Sequence, residues 1–217
     1  MLVSFSDYVV NNLIDQLFRA QTPLQPATVY VGLLIAPNGI YATSTVYGAG
    51  AYITALTSDG TYHLYHTVAG GTSASSPTTF PGVPNESVTD NTVTWVEQTS
   101  VLKAAGAALD EVSVGVGAYT RIAVISSLLN WAGTQAALST TASTGTSGQT
   151  SNNSAITWAA PTGNWAASPA VIWGIALFDA ASGGDLLAFG PIGTPTQILS
   201  GALAPTIPVS DLTFTML

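Results

Sequence analysis

The stretch ATVYVGLLIA at residues 27–36 constrains the fold of this chain more than any other segment. Successive side chains of an extended strand point to opposite faces of a sheet. Both faces of this stretch are apolar or aromatic, with Val29, Val31, Leu33 and Ile35 on one and Tyr30 and Leu34 on the other. The stretch therefore predicts a strand that is buried on both sides.

Further strand-like segments follow along the chain, separated by turns rich in Gly, Asn and Pro. They lie around residues 51–57, 61–68, 92–98, 118–126, 155–159, 170–179, 185–190 and 211–216. SDGT at 58–61 is typical of a hairpin turn, and ASGGD at 181–185 joins two of these segments. The pattern predicts a mainly β fold, an antiparallel and jelly-roll-like β-sandwich.

The first twenty residues carry the helical pattern of the chain. Apolar residues recur every fourth position in two adjacent rows, which are Val9, Leu13 and Leu17, and Val10, Ile14 and Phe18. They form a stripe opposite polar residues and predict one amphipathic helix. Ser4 is the predicted N-cap, and Pro23 marks the end of the helix. The stripe either packs on the chain's own sheet or contacts another subunit.

The phrase Gly-x-Gly-Ala-Tyr occurs twice, as GAGAY at 48–52 and as GVGAY at 115–119. A strand-like segment, a polar linker and a Thr-Trp strand follow each copy in the same order. Gly-x-Gly allows a backbone to bend or to pass close to another strand, so both copies predict the start of a strand. Neither copy is followed by the third Gly and the helix of a dinucleotide site.

Two segments lack periodicity. Residues 70–90 contain four turns rich in Pro and Gly, and they predict a loop ordered by its surroundings or the irregular half of a small subdomain. Residues 139–154, STTASTGTSGQTSNNS, hold no large apolar group. This second segment predicts a loop that is mobile or ordered by a partner.

Charge is scarce in this chain. Of 217 residues 6% are charged, and 11 acids against 3 bases give a formal net charge of −8. Nucleic-acid binding needs clustered cations, and so does binding to an anionic membrane, so neither is expected. No apolar run approaches the roughly 18 residues of a membrane span, and the N-terminus lacks the cationic region of a signal peptide. We expect a soluble protein, made in a cytoplasm, whose uncharged surface suits permanent neighbours.

Catalytic and metal-binding patterns are weak. The chain has no cysteine, no Gly-x-Ser-x-Gly elbow and no Walker A loop. His63 and His66 are three positions apart, which places them on opposite faces of a strand, where they cannot share a metal ion. Asp110 and Glu111 point apart for the same reason. We therefore predict no catalytic residue, no metal site and no cofactor, and a protein that is not an enzyme.

The five tryptophans suggest a carbohydrate site, because flat aromatic rings bind sugar rings. Trp95, Trp158 and Trp173 stand in strand-like contexts that predict burial in the core. Trp131 and Trp165 stand in the polar contexts LLNWAG and PTGNWAAS. These two are the predicted exposed aromatic residues.

Several segments resemble a known family. FSDYVVNNLIDQLFRAQ, PATVYVGLL, GAYTRIAV, NWAG, NSAITWAAPTGNW, VIWGIALFDAASGGDLLAFGPI and DLTFTML occur in the order seen in a family of small tailed-bacteriophage virion proteins, usually labelled tail fibre proteins. The similarity covers residues 5–36 and 115–217. This chain departs from the family pattern by an extra Ala176-Leu177 step before Phe178, which bears on the strand register there. Residues 59–99 resemble an inserted module of phage structural proteins.

The resemblance implies a three-part organisation. Residues 1–22 form an N-terminal helix or arm, residues 23–58 and 100–217 form the sandwich core, and residues 59–99 form an inserted small β module. The expected location is the virion, assembled in the cytoplasm of the host bacterium. Expected partners are other virion proteins and copies of this chain, in an oligomer.

The leading functional hypothesis is a non-enzymatic structural subunit of the tail fibre or tail-attachment apparatus. Its candidate docking face on the first helix consists of Phe5, Tyr8, Val9, Leu13, Leu17 and Phe18. One alternative is a capsid cement or decoration protein. The other is a carbohydrate-binding module that recognises a host surface glycan through residues 59–99 and the exposed tryptophans.

Overall fold

Strands dominate the computed structural model, which describes residues 4–22, 25–105 and 110–215. The strands are β1 (Ser4–Phe5), β2 (Thr28–Ala36), β3 (Val46–Tyr47), β4 (Tyr52–Leu56), β5 (Tyr62–His66), β6 (Gly71–Thr72), β7 (Ser87–Asp90), β8 (Val93–Glu97), β9 (Ile122–Ile125), β10 (Gln149–Ser151), β11 (Ile156–Thr157), β12 (Val171–Phe178), β13 (Leu186–Thr196), β14 (Thr206–Ile207) and β15 (Thr213–Thr215). Helix α1 spans Asp7–Arg19 and helix α2 spans Thr99–Ala105. The predicted mainly β, antiparallel fold with an N-terminal helix is confirmed.

Strand β2 lies inside a five-stranded antiparallel sheet with the order β1-β13-β12-β2-β9. Val31 and Leu33 pack into a core cluster on one face of this sheet. Leu34 and Ala36 pack into a second cluster on the other face. The predicted burial of β2 on both sides is therefore confirmed, and it requires a layer of structure against each face.

Different parts of the chain supply the two covering layers. Two short ribbons, β10 with β15 and β11 with β14, bring Ile156 and Phe214 into the first cluster. The second cluster receives Leu64 from β5 and Leu102 from α2. The central sheet is thus packed between C-terminal ribbons and the region around β5.

A second sheet, with the order β4-β5-β8-β7, has its own core. Trp95, Tyr65, Phe80 and Ile53 are buried together there, and the ring of Tyr47 meets that of Trp95 edge to face at 4.9 Å. Most of this sheet comes from the predicted module at 59–99. Strand β4 precedes residue 59 and pairs with β5 along its whole length, so the strand pairing extends N-terminal to that predicted boundary.

The start of α1 and the presence of α2 differ from the sequence prediction. Ser4 belongs to β1 and pairs with Phe189 of β13, so the prediction that it caps the helix is wrong. The N-cap is Ser6, whose side chain accepts a hydrogen bond from the Val9 amide. The predicted end of the helix at Pro23 falls outside the described residues. Helix α2 was not predicted because its seven residues are too short to show periodicity, and Leu102 is its buried apolar anchor.

The two Gly-x-Gly-Ala-Tyr phrases adopt different structures. The first leads directly into β4 at Tyr52, as predicted. The second forms a 3-10 turn at residues 116–118, and β9 begins only after Tyr119, so the prediction of a strand start is wrong for this copy. Gly117 has a φ of +54°, and a Cβ there would lie 2.6 Å from the Gly163 carbonyl oxygen. Close approach of two backbones therefore explains this glycine.

Candidate functional site

Helix α1 lies against the edge of the central sheet and has no fully buried side chain. The Ser6 amide donates to the Leu187 carbonyl at 3.0 Å, which joins the start of the helix to β13. Phe5, Tyr8 and Val9 are partly buried against the core cluster of that sheet. The N-terminal half of the helix is therefore held by the chain itself.

The other half of α1 presents an apolar surface to solvent. Leu17 is 64% exposed and Phe18 is 81% exposed. We call this surface the outer helix face, and its members are Leu13, Ile14, Leu17 and Phe18, together with the exposed Val10 from the first half of the helix. Arg19 pairs with Asp15 on the same helix at 2.7 Å, so this cation already has a counter-ion at the end of the face. Contiguous exposed apolar side chains mark interaction surfaces.

The predicted docking set divides between these two environments. Phe5, Tyr8 and Val9 pack on the chain's own core, whereas Leu13, Leu17 and Phe18 point outward. The alternative of packing on the chain's own sheet thus holds for the first group. Contact of the outward group with another subunit stays a prediction.

The two tryptophans predicted to be exposed have different surroundings. Trp165 is only 4% exposed, so its predicted exposure is wrong. Its Nε1 donates to the Gly117 carbonyl at 2.9 Å, and its ring packs edge to face on Tyr119. Trp131 is half-buried beside Phe214 and lines an apolar cavity of about 460 Å³. The tryptophans predicted to lie in the core, Trp95, Trp158 and Trp173, are buried.

His63 and His66 take part in separate interactions. His63 Nδ1 lies 2.9 Å from Glu97 Oε1, and its Nε2 lies 3.1 Å from the Thr61 hydroxyl. Glu97 is fully buried and also accepts from the Thr99 amide. His66 packs on the ring of Tyr52, and burial lowers the pKa of its imidazole. Within residues 4–22, 25–105 and 110–215, no group of three or more His, Cys, Asp or Glu is placed to hold a metal ion.

Arg121 stands at the centre of a buried polar network that sequence reasoning missed. Its guanidinium forms two hydrogen bonds with the Glu111 carboxylate, from Nε at 2.9 Å and from Nη2 at 2.7 Å. Nη1 donates to the carbonyls of Ala180 and Gly183, and the guanidinium carbon lies 3.4 Å from the centre of the Phe178 ring. The network connects the start of β9 to the turn between β12 and β13.

Asp110 is the neighbour of Glu111 but has no such partner. Burial raises the pKa of its carboxyl to about 6, and its Oδ2 is buried without a hydrogen-bond partner among the described residues. The folded state thus holds this proton more tightly than the unfolded chain, whose ordinary value is 3.8. Ionisation of Asp110 between these values lowers the stability of the fold as the pH rises.

Replacing Asp110 by asparagine is therefore expected to stabilise the protein above pH 6. Each pKa unit corresponds to about 1.4 kcal/mol, so the difference between 3.8 and about 6 gives an upper value of about 3 kcal/mol. Because the carboxyl is partly exposed, the expected gain at pH 7.5 is on the order of 2 kcal/mol. Asparagine suits this position because its φ is +58°. Thermal unfolding from pH 3.5 to 8 measures the effect, which should vanish at the acidic end. The exposed Asp211→Asn is the control, and an equal gain in both variants would contradict the explanation.

The helices of the described residues include none long and apolar enough to cross a membrane.

Comparison with known proteins identifies the family. A family model described as Podophage GP4 fiber I protein gp80 matches residues 97–215, which is more than half of the 217 residues. The match includes most of the C-terminal part of the resemblance found in the sequence. A search of curated proteins finds no significant match. The chain belongs to the podophage fibre protein family represented by the GP4 fiber I protein gp80.

Proposed function

We propose that the chain is a non-enzymatic structural component of a podophage fibre, attached to the rest of the tail through the outer helix face. The exposed apolar half of α1 supports this function. Leu17 and Phe18 are exposed to solvent, on a helix whose other half already packs on the core. Burying a side chain of this size contributes about 1.5–3 kcal/mol, so a partner that covers both gains appreciable affinity.

The partner proposed for this face is another virion protein. A second copy of the chain carries the same formal charge of −8, and like net charges oppose association. A less acidic protein of the tail-attachment apparatus meets no such penalty.

Double replacement of Leu17 and Phe18 by serine tests this attachment. Both side chains are exposed, so we expect thermal unfolding to be unchanged while incorporation into particles falls at least about tenfold, since a tenfold loss needs only about 1.4 kcal/mol. Quantitative mass spectrometry of purified virions, with the variant gene replacing the original in the phage genome, measures the copy number. Point variants are sharper than removal of the first twenty residues, because Phe5, Tyr8 and Val9 also pack on the core.

The matched control is a double serine variant at Val68 and Leu203, which are exposed apolar residues outside α1. Normal incorporation of the α1 variant would show that the outer helix face does not attach the protein. The same measurement separates the tail from the head. A copy number that matches the capsid lattice would favour the cement or decoration alternative over the fibre.

A further inference from the structure

The edge of the central sheet at β9 is open. β9 pairs with β2 and is the last strand on that side of the sheet. The Ser126 amide donates to the Ala27 carbonyl at 3.0 Å, which continues this pairing by one residue. Hydrogen-bonded and non-hydrogen-bonded pairs alternate in an antiparallel ladder, so Val124 bonds to β2. Ala123 and Ile125, which lie between the bonded positions, turn their amide and carbonyl groups away from β2.

The outward groups of β9 are available to a partner. Among the described residues, none forms a hydrogen bond with the Ala123 amide or carbonyl or with the Ile125 amide. The Ile125 carbonyl accepts from Asn130 Nδ2 at 3.0 Å, and its oxygen has a second lone pair. Ala123 and Ile125 are both exposed. A second extended strand alongside β9 would satisfy these groups together.

The other edges of the two sheets are protected. On the opposite edge of the central sheet, Pro191 and Pro195 interrupt β13 beyond the two-residue β1. In the second sheet, residues 39–41 cover β4 through backbone hydrogen bonds to Thr54, and β7 follows the exposed Glu86. Prolines, charges and covering segments are the usual guards of a sheet edge. The sequence Ile-Ala-Val-Ile of β9 has no such guard.

The surroundings of β9 also lack charge. Residues 20–58, which include β2, and residues 122–178, which include β9, contain no Asp, Glu, Lys, Arg or His. Arg121, just before β9, is buried and paired with Glu111. Charges beyond about 8–10 Å are largely screened at physiological ionic strength. The net charge of −8 therefore opposes contact between copies at α1, which carries Asp15, but acts weakly at β9.

We propose that β9 joins two copies of this chain, as an antiparallel strand pair about a twofold axis at Val124. In this register the amide and carbonyl of Ala123 in one copy bond with those of Ile125 in the other. The small Ala123 lies opposite the large Ile125, which is 61% exposed in the single chain. The five-stranded sheets of both copies then form one continuous sheet. The same patch serves both copies, so the contact closes as a dimer.

Sedimentation equilibrium of the purified full-length protein tests the proposal. A strand pair of four residues is a small interface, so we expect a dissociation constant on the order of 10–100 µM, measured between about 1 µM and 1 mM. Amide hydrogen exchange locates the contact. Exchange at Ala123 and Ile125 should slow as the protein concentration rises, whereas exchange at Val124, which already bonds to β2, should not change.

Ala123→Pro removes an outward amide that β2 does not use, so the fold keeps its hydrogen bonds while the dimer loses one donor from each copy. We expect the dissociation constant to rise at least about tenfold, as for two lost hydrogen bonds. Ala123→Ser keeps the amide and is the matched control. The double serine variant at Leu17 and Phe18 is a second control, because it leaves β9 intact and should associate like the original.

Opposite charges at Ile125 give a test that does not depend on proline. The two copies of Ile125 lie diagonally across the axis, about 7–8 Å apart. Ile125→Lys and Ile125→Glu should each be monomeric over the same range, because like charges meet, whereas an equimolar mixture of the two should form a mixed dimer. Misfolding explains a loss in either variant, but not recovery in the mixture.

Each outcome decides the question. A dimer that is weakened by Ala123→Pro, kept by both controls and restored in the mixture supports the proposal. Where Ala123→Pro lowers the melting temperature, the mixture alone decides. A monomer at every concentration leaves the edge to a strand of another virion protein and overturns the proposal. A trimer, a dimer unaffected by Ala123→Pro, or a dimer lost in the α1 variant overturns it as well. These measurements concern the protein in solution, so they are independent of the proposed attachment through α1.

Discussion

Replacing Arg121 by alanine is expected to destabilise the protein by about 3–5 kcal/mol, the range for a buried ion pair that loses one partner. The variant leaves Glu111 facing the core without its counter-ion and removes the donor to the carbonyls of Ala180 and Gly183. It also removes the guanidinium from the Phe178 ring. Urea unfolding at pH 7.5 measures the loss.

Two further variants separate charge from geometry at this site. Arg121→Lys keeps the charge but cannot form the paired hydrogen bonds to Glu111, so it should recover only part of the stability. Replacing both Arg121 and Glu111 by apolar residues of similar size, methionine and leucine, should cost less than Arg121→Ala. If Arg121→Ala unfolds at the same urea concentration as the original protein, the network does not stabilise the fold.

Replacing Asp90 by alanine is expected to have the second large effect, a loss of about 3 kcal/mol, because several buried donors lose one acceptor. Asp90 is buried, and Oδ1 accepts from the Ala74 amide at 2.9 Å and from the hydroxyls of Tyr41 and Thr78. Oδ2 lies 3.4 Å from Trp95 Nε1. One carboxylate thus connects the irregular segment after β6 to the core of the second sheet.

The expected loss is local as well as global. Amide hydrogen exchange should rise first at residues 73–81, because the Ala74 amide and Thr78 lose their acceptor. Asp90→Asn is the matched control, since its carbonyl oxygen still accepts at the Oδ1 position, while its NH2 group replaces Oδ2 and loses the hydrogen bond from Trp95 Nε1. Equal exchange in Asp90→Ala and in the original protein would show that Asp90 does not order this segment.

The parts of the fold that depend on local pattern were predictable from the sequence. The alternation in β2 identified a strand covered on both faces, and the four-residue spacing in α1 identified the helix. Its split into a packed half and an exposed half was not predictable. That split depends on which residues of α1 lie against β13 and α2, and the helical periodicity contains no information on this.

The misplaced and missed residues share one physical cause. Trp165 has small and polar neighbours in the chain, but its burial comes from Gly117 and Tyr119, which are distant in sequence. Arg121 likewise finds its carbonyl partners about sixty positions away. The contact between the two sheets likewise joins β5 to β13, which are far apart in sequence. Sequence context describes neighbours along the chain, whereas these features are made by neighbours in space.

The antiparallel pairing of β2 with β9 has a consequence for how such fibres diversify. The chain leaves the central sheet after β2, builds the whole second sheet, and returns beside its point of departure, where the Ile35 amide donates to the Asp110 carbonyl. The segment between β2 and β9 begins and ends at neighbouring positions, so a different segment can take its place without breaking the sheet. A replacement of different length or specificity needs to bring apolar side chains in the places of Leu64, Leu102 and Tyr52. The framework can therefore persist while the part that it carries changes.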